Sequence, residues 1–426
     1  MDDDVFPFHQ AESPFPAEPV PASLLLDCEV ARKEGLAARG NLMTGCRELD
    51  EYVLLGGFER GSVVGVSAEE DEGEEEIGLL IGLQTIANLL ASKATARAMV
   101  VTTLPAAALL PKLRKALVGQ LTKAQGVWQN LHAGLQACLE RISISRVFDI
   151  EGLREVLEEL EGTVHVREGE SSPQTAQPEK RTEIPNSDDE GGFSSSSGSP
   201  SPKPSPHPDN TVGGAKHSKL PDMVLVTHTS TLLNALFTGR DKDTAHNMML
   251  VLASRLRTLT RSPAHNAPLF VFLNTTTSPA VFPQQPPHAY DTTPTTASRD
   301  APQPPSKHLD STLRSIFASS SSFSARRNKP SFGLVFSQML DLHLLCTRVP
   351  RTRADSAVLL TNHGMNPHSV SYAWVVEVLL DELGVYEKMR DGSSSEWGER
   401  RNREQRWTAV DVDEEGRVVN ATINIT

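Results

Sequence analysis

Aromatic residues make up only 5% of this 426-residue chain, and cysteine occurs at only four positions, Cys28, Cys46, Cys138 and Cys346. The cysteines are widely separated and show no C-x-x-C spacing, which excludes the usual zinc patterns and a disulfide framework and leaves them expected as reduced, buried thiols. No apolar run is long enough to span a bilayer, and the N-terminus lacks the basic start and apolar middle of a secretory leader, so no membrane role is expected. Basic charge is scarce as well. Lys and Arg number 41 against 54 Asp and Glu, a formal net charge of −13 that excludes a generally adhesive nucleic-acid binder and confines any DNA contact to local patches.

What the chain does have is alternation of short β-branched runs with helical patterns, the pattern of a mostly parallel α/β sheet with helices on both faces. The strand candidates are Ser62–Ser67, Ala98–Thr103, Arg141–Val147, Met223–Thr227, Leu269–Asn274, Leu342–Thr347 and Tyr372–Leu380. Helical spacing predicts helices over Ile77–Lys93, Ala106–Leu121, Ile150–Leu160 with Asp149 as N-cap, and Thr244–Thr260. Residues Ser23–Ala38 read as a single helical packing element, with docking on a partner as the other reading. A terminal hairpin is expected through Val410, Val412 and Val418, with Trp407 as its core anchor and the arginines of 400–406 as a solvated face or a basic patch.

Three stretches carry disorder-type composition: residues 1–22, 168–219 (Ser, Pro and Glu) and 275–328 (Thr, Pro and Ser). The last two fall between strand candidates, so they read as two long insertions within one core domain over residues 23–426.

The most informative segment is Glu69–Glu76, which reads Glu-Glu-Asp-Glu-Gly-Glu-Glu-Glu between an apolar strand and an apolar helix. A P-loop there would read G-x-x-x-x-G-K-[ST], its backbone N–H groups and Lys holding phosphates and its hydroxyl holding Mg²⁺. Setting Gly73 on the second Gly puts Ala68 on the first, Glu74 on the Lys and Glu75 on the hydroxyl residue. Two unit charges about 4 Å apart interact by roughly 4 kcal/mol at an effective dielectric of about 20. Exchanging attraction for repulsion therefore moves the balance by about twice that, against roughly 8 kcal/mol for micromolar binding. The run also reads as a plain solvated acidic loop; under both readings ATP and Mg²⁺ are disfavoured, and no cofactor or metal is expected.

The stretch Met43-Thr44-Gly45-Cys46-Arg47-Glu48-Leu49-Asp50, followed by Gly56-Gly57-Phe58-Glu59-Arg60-Gly61-Ser62-Val63, resembles the lead-in to the P-loop strand of RecA-type recombinases. In particular it resembles the eukaryotic recombinase paralogues and their fungal relatives. Similarity continues in order through Arg146-Val147-Phe148-Asp149, Leu232–Phe237 and Phe332–Leu344, and covers roughly residues 42–380 apart from the insertions. The resemblance implies a RecA-like P-loop NTPase core.

The chain departs from that family at each catalytic position. Beyond Glu74 and Glu75, Leu104 stands where an acidic residue would activate water, and Thr227 where an Asp would support Mg²⁺. The resemblance, less its catalytic residues, implies a non-catalytic paralogue in the nucleus, a pseudo-ATPase that serves homologous-recombination repair by binding a recombinase or another paralogue. Single-stranded DNA is a further candidate partner. Arg326, Arg327 and Lys329 end the second insertion, where recombinases place a DNA-binding loop, and Arg348, Arg351 and Arg353 follow the next strand. The small helical DNA-binding module that precedes the core in eukaryotic recombinases is not expected, because residues 1–41 are too few and too Pro-rich to build it. Two alternatives stand: a DNA-dependent ATPase completed by a partner's residues, and a catalytically silent RecA-fold scaffold like those of the Elongator tRNA-modification assembly.

Overall fold

A computed structural model describes residues 20–69, 76–125, 131–168, 220–261, 267–277, 315, 329–361, 370–386 and 400–422. The described helices are α1 (Ala22–Arg39), α2 (Ile77–Ser92), α3 (Ala106–Gln125), α4 (Leu131–Leu139), α5 (Ile150–Glu168), α6 (Thr229–Gly239), α7 (Lys242–Arg261), α8 (Gly333–Ser337) and α9 (Arg353–Thr361), with a π-helical turn at Leu49–Val53. The strands are β1 (Val63–Ala68), β2 (Ala98–Thr102), β3 (Ile142–Arg146), β4 (Met223–Val226), β5 (Leu269–Thr277), β6 (Lys329–Pro330), β7 (Leu342–Pro350), β8 (Tyr372–Asp381), β9 (Val385–Tyr386), β10 (Arg400–Arg401), β11 (Trp407–Val412) and β12 (Val418–Asn420).

The main sheet runs β12-β11-β8-β7-β1-β5-β4-β2-β3, with β6 paired to the end of β5. From β7 to β3 every neighbouring pair is parallel, and β8, β11 and β12 add on antiparallel. The chain is thus an α/β fold with a mostly parallel central sheet. Strand β1 lies in the middle and is buried along its whole length, which is why its sequence, Val-Val-Gly-Val-Ser-Ala, does not alternate apolar with charged or large polar residues.

Each face of the sheet has its own apolar core. Even positions of β1, Val64 and Val66, pack with α2, α3 and α4, whereas Val63 packs with α5, α6 and α7 on the opposite face, as the two-residue strand period requires. Helix α2 lies flush on β4 because Gly82 has no side chain: a Cβ there would stand 2.7 Å from Leu225 Cδ1. Asp149 caps α5 as expected, accepting from the Gly152 N–H at 2.8 Å.

The lead-in to β1 has a physical explanation as well. The Asp50 carboxylate accepts from the N–H groups of Thr44 at 2.8 Å and Gly45 at 2.9 Å, and Leu42 bridges to Phe58. Burial pushes the Asp50 carboxyl up, opposed by those backbone bonds.

Several expectations are corrected. Trp407 is 39% exposed and is no core anchor, because the alternation of β11 that turns Val410 inward puts Trp407 on the other face. Arg403 belongs to no solvated face: it is buried and paired with Glu59 and Asp381. The second low-complexity stretch does not begin as a loop at Thr275, since β5 runs on to Thr277 by pairing Thr276 and Thr277 with Pro330 and Lys329. The first does not begin at Glu168, which closes α5. The remainder of both stretches and residues 1–19 lie outside the described residues. Helix α1 forms as expected, one residue longer at each end, yet buries no residue fully, and Leu24, Leu25, Leu26 and Val30 are exposed. Cys28, on α1, is exposed, whereas Cys46, Cys138 and Cys346 are buried as expected.

Candidate functional site

The C-terminal edge of a parallel sheet is where βα loops gather, and β1, β2, β4 and β5 all end there. Between β1, β5 and the start of α2 is a cavity of about 30 Å³ bordered by Ala68, Glu69, Glu76, Gly78, His228 and Thr275. That volume holds about one water-sized guest. Gly73, Glu74 and Glu75 lie outside the described residues, but the residues at both ends of their loop, Glu69 and Glu76, are carboxylates on this cavity. Glu76 immediately precedes the first turn of α2, where the positive end of the helix dipole favours negative charge.

The neighbouring strand ends carry hydroxyls. Thr227 directly follows β4 and is 2% exposed; its N–H donates to the Val101 carbonyl at 2.9 Å. Its Oγ1 donates to Thr102 Oγ1 at 2.8 Å, and Thr102 Oγ1 also accepts from the Leu104 N–H at 3.1 Å. With the Thr227 hydrogen so placed, His228 Nδ1, 2.8 Å away, donates to Thr227 Oγ1. His228 is held in the left-handed region, with φ of 56° and ψ of 38°, directly before α6. It joins the threonine chain to the cavity that it also lines.

A second polar chain runs under β1. Ser67 Oγ lies 2.9 Å from His343 Nε2, and Asn274 Nδ2 donates to Ser67 Oγ at 3.2 Å and to the Ser331 carbonyl at 2.9 Å. Burial alone drives the His343 imidazole down to about 3, so it is neutral. Sequence reasoning missed both histidines. For His228 the adjacency to Thr227 was a usable signal; for His343 there was none, because its partner Ser67 is 276 positions away.

Of the residues expected at a degenerate nucleotide site, the structure therefore brings Ala68 to the cavity and links Thr227 to Leu104 through Thr102. The arrangement offers hydroxyl and imidazole groups at the ends of β2 and β4, and carboxylates on the cavity between β1 and α2. Among the described residues no group of three or more His, Cys, Asp and Glu side chains is placed to hold a metal ion.

The basic residues divide. Arg326 and Arg327 lie outside the described residues. Lys329 sits in β6 opposite Thr277, and Arg348 to Arg353 end β7 and open α9, so both sets lie at the C-terminal ends of the strands flanking β1, past the end of β1 itself. Arg351 is committed elsewhere, pairing with Asp411 and donating to the Tyr372 carbonyl at 3.3 Å. Arg348 stacks over the Tyr372 ring at 4.2 Å, and Arg353 is exposed. No helix among the described residues is long and apolar enough to cross a membrane. No protein-family model matches this chain, and no curated protein matches it.

Proposed function

We propose that this chain is a non-catalytic RecA-like subunit, a recombinase paralogue that works in the nucleus in homologous-recombination repair by docking onto a recombinase or another paralogue. The observation that carries the reading is the hydroxyl pair Thr227–Thr102 at the ends of β4 and β2, with Leu104 beyond it, where phosphoryl transfer needs acidic groups to support metal and orient water. Carboxylates at Glu69 and Glu76 oppose a polyphosphate by the same electrostatics that favour one in an ordinary phosphate loop. Such a body keeps the surfaces of its fold and loses the chemistry, so its activity is binding. Because fold similarity does not by itself assign function, the repair role rests on the resemblance of residues 42–63. Lys329, Arg348 and Arg353 supply cations for a salt-sensitive contact with single-stranded DNA.

Two measurements test the reading. Titration calorimetry of the purified chain with ATP and Mg²⁺ is expected to give no binding tighter than millimolar, and micromolar uptake would overturn the non-catalytic assignment. Affinity purification from DNA-damaged cells, followed by reconstitution with the recovered RecA-like partner, is expected to give a stoichiometric complex. Recovery of tRNA-modification subunits in its place would move the chain to that other assembly.

A further inference from the structure

Gln84 and Asn88 stand about 12 and 18 Å along α2 from Glu76 at about 1.5 Å per residue, and with Gln120 of α3 their side-chain carboxamides converge on Gly45. Gly45 has φ of +85°, and a Cβ built on it would stand 2.9 Å from Gln120 Nε2, 3.5 Å from Gln84 Nε2 and 3.8 Å from Asn88 Nδ2. Two of these amides bind main chain. Gln84 makes a two-way pair with Val418, donating to its carbonyl at 3.1 Å and accepting from its N–H at 2.8 Å, so that it takes the place of a further strand beside β12. Asn88 donates to the Met43 carbonyl at 3.0 Å. The third, Gln120, is 7% exposed, and no described residue hydrogen-bonds its carboxamide. Its amide is reached by the solvent of an open groove, which leaves a donor and an acceptor free for a ligand.

Gln120 borders an open groove of about 510 Å³ between α2, α3 and the segment Met43–Glu51. Met43 and Ala91 give the groove apolar surface. Its charges are mostly accounted for: Arg47 pairs with Glu51 at 3.0 Å, and the Asp50 carboxylate is turned to the N–H groups of Thr44 and Gly45. Lys123 remains, an exposed ammonium on the rim with no partner among the described residues.

We propose that this groove is a docking site for an extended peptide segment of a partner protein, gripped through its main chain by Gln120 and carrying an acidic side chain opposite Lys123. Gln84 displays the mode of grip one helix away, since a carboxamide offers one donor and one acceptor to the N–H and C=O of an extended residue. The apolar lining takes the side chain that points into the groove, and the ammonium selects a carboxylate over a cation. Neither the acidic cavity at the start of α2 nor any nucleotide takes part in this contact, so the site stands whether or not the recombination reading does.

The test uses the full-length chain and an array of acetylated, amidated octapeptides, half of them with one Glu, followed by fluorescence anisotropy on the retained sequences. Glu-bearing peptides are expected to be retained, Gln120→Leu to weaken them about tenfold, and Lys123→Glu to reverse the preference toward Lys-bearing peptides. Peptides with N-methylated main chain are the control that needs no variant, and they are expected to bind at least tenfold more weakly to the unaltered protein. The proposal is overturned if no octapeptide binds above background, if N-methylation leaves affinity unchanged, or if folded Gln120→Leu protein, checked by circular dichroism, binds as tightly as the parent.

Discussion

Thr227 and Thr102, 125 positions apart, share a hydrogen bond of 2.8 Å between their side-chain oxygens at the ends of the adjacent strands β4 and β2. Both of these hydroxyls find protein partners, whereas the buried hydroxyl of Thr229, two residues on, has none. Thr227→Val keeps shape but removes the hydroxyl that both Thr102 and His228 contact, and is expected to cost about 1–3 kcal/mol in urea unfolding.

Phosphate release should stay at background in the unaltered chain and in Glu74→Lys combined with Glu75→Thr. Under the proposed reading, cations placed in the loop still leave Leu104 and Thr227 unable to orient water or support a metal. Turnover in the double variant would show that these two positions are misassigned.

Arg403 is 1% exposed; it pairs with Glu59 and lies 3.9 Å from Asp381, which also accepts from the Arg403 N–H at 2.9 Å. Removing one partner of a buried pair strands the other charge, so Arg403→Leu should destabilise by about 3–5 kcal/mol. Arg403→Lys should recover only part, because an ammonium lacks the planar fork. Denaturant midpoints at one pH measure both.

Stability should fall as pH drops from 6.5 toward 5, through His343. Its ordinary value is 6.5 and burial holds it at about 3 in the fold, so in that window the unfolded chain takes up a proton that the native chain does not. The linkage slope approaches about 1.4 kcal/mol per pH unit for one such group. The His343→Gln variant should lack this component of the slope; equal slopes would remove His343 as its source.

Cys28 alone should react with Ellman's reagent in the native protein. Cys46, Cys138 and Cys346 are buried, and desolvation pushes Cys346 up to about 12, so its thiolate is scarce at neutral pH. Four thiols should titrate in guanidinium, and a second fast thiol without denaturant would contradict the packing around the buried three.

The parallel strands were legible because β1, β2, β4 and β5 are dominated by short apolar runs, as strands covered on both faces require. The β11–β12 hairpin was legible from the Glu415-Gly416 turn, where Gly416 takes a φ of 72°. Trp407 was misread because a large aromatic beside alternating valines gives no sign of which face turns inward. Arg403 was misread because its partner Glu59 is 344 positions away and no local pattern announces it.

The amino-acid order alone determined that this chain builds an α/β sheet and that the loop after β1 is crowded with carboxylates, since period and charge are local properties written residue by residue. Gln84, Asn88 and Gln120 carry the same carboxamide at three helical positions, and nothing in their type tells them apart. Only the packing of α2 and α3 against Gly45, Met43 and Val418 decided that two of them are satisfied and the third faces a groove. A hydrogen bond depends on which distant main chain arrives within reach, and that is a property of the folded arrangement.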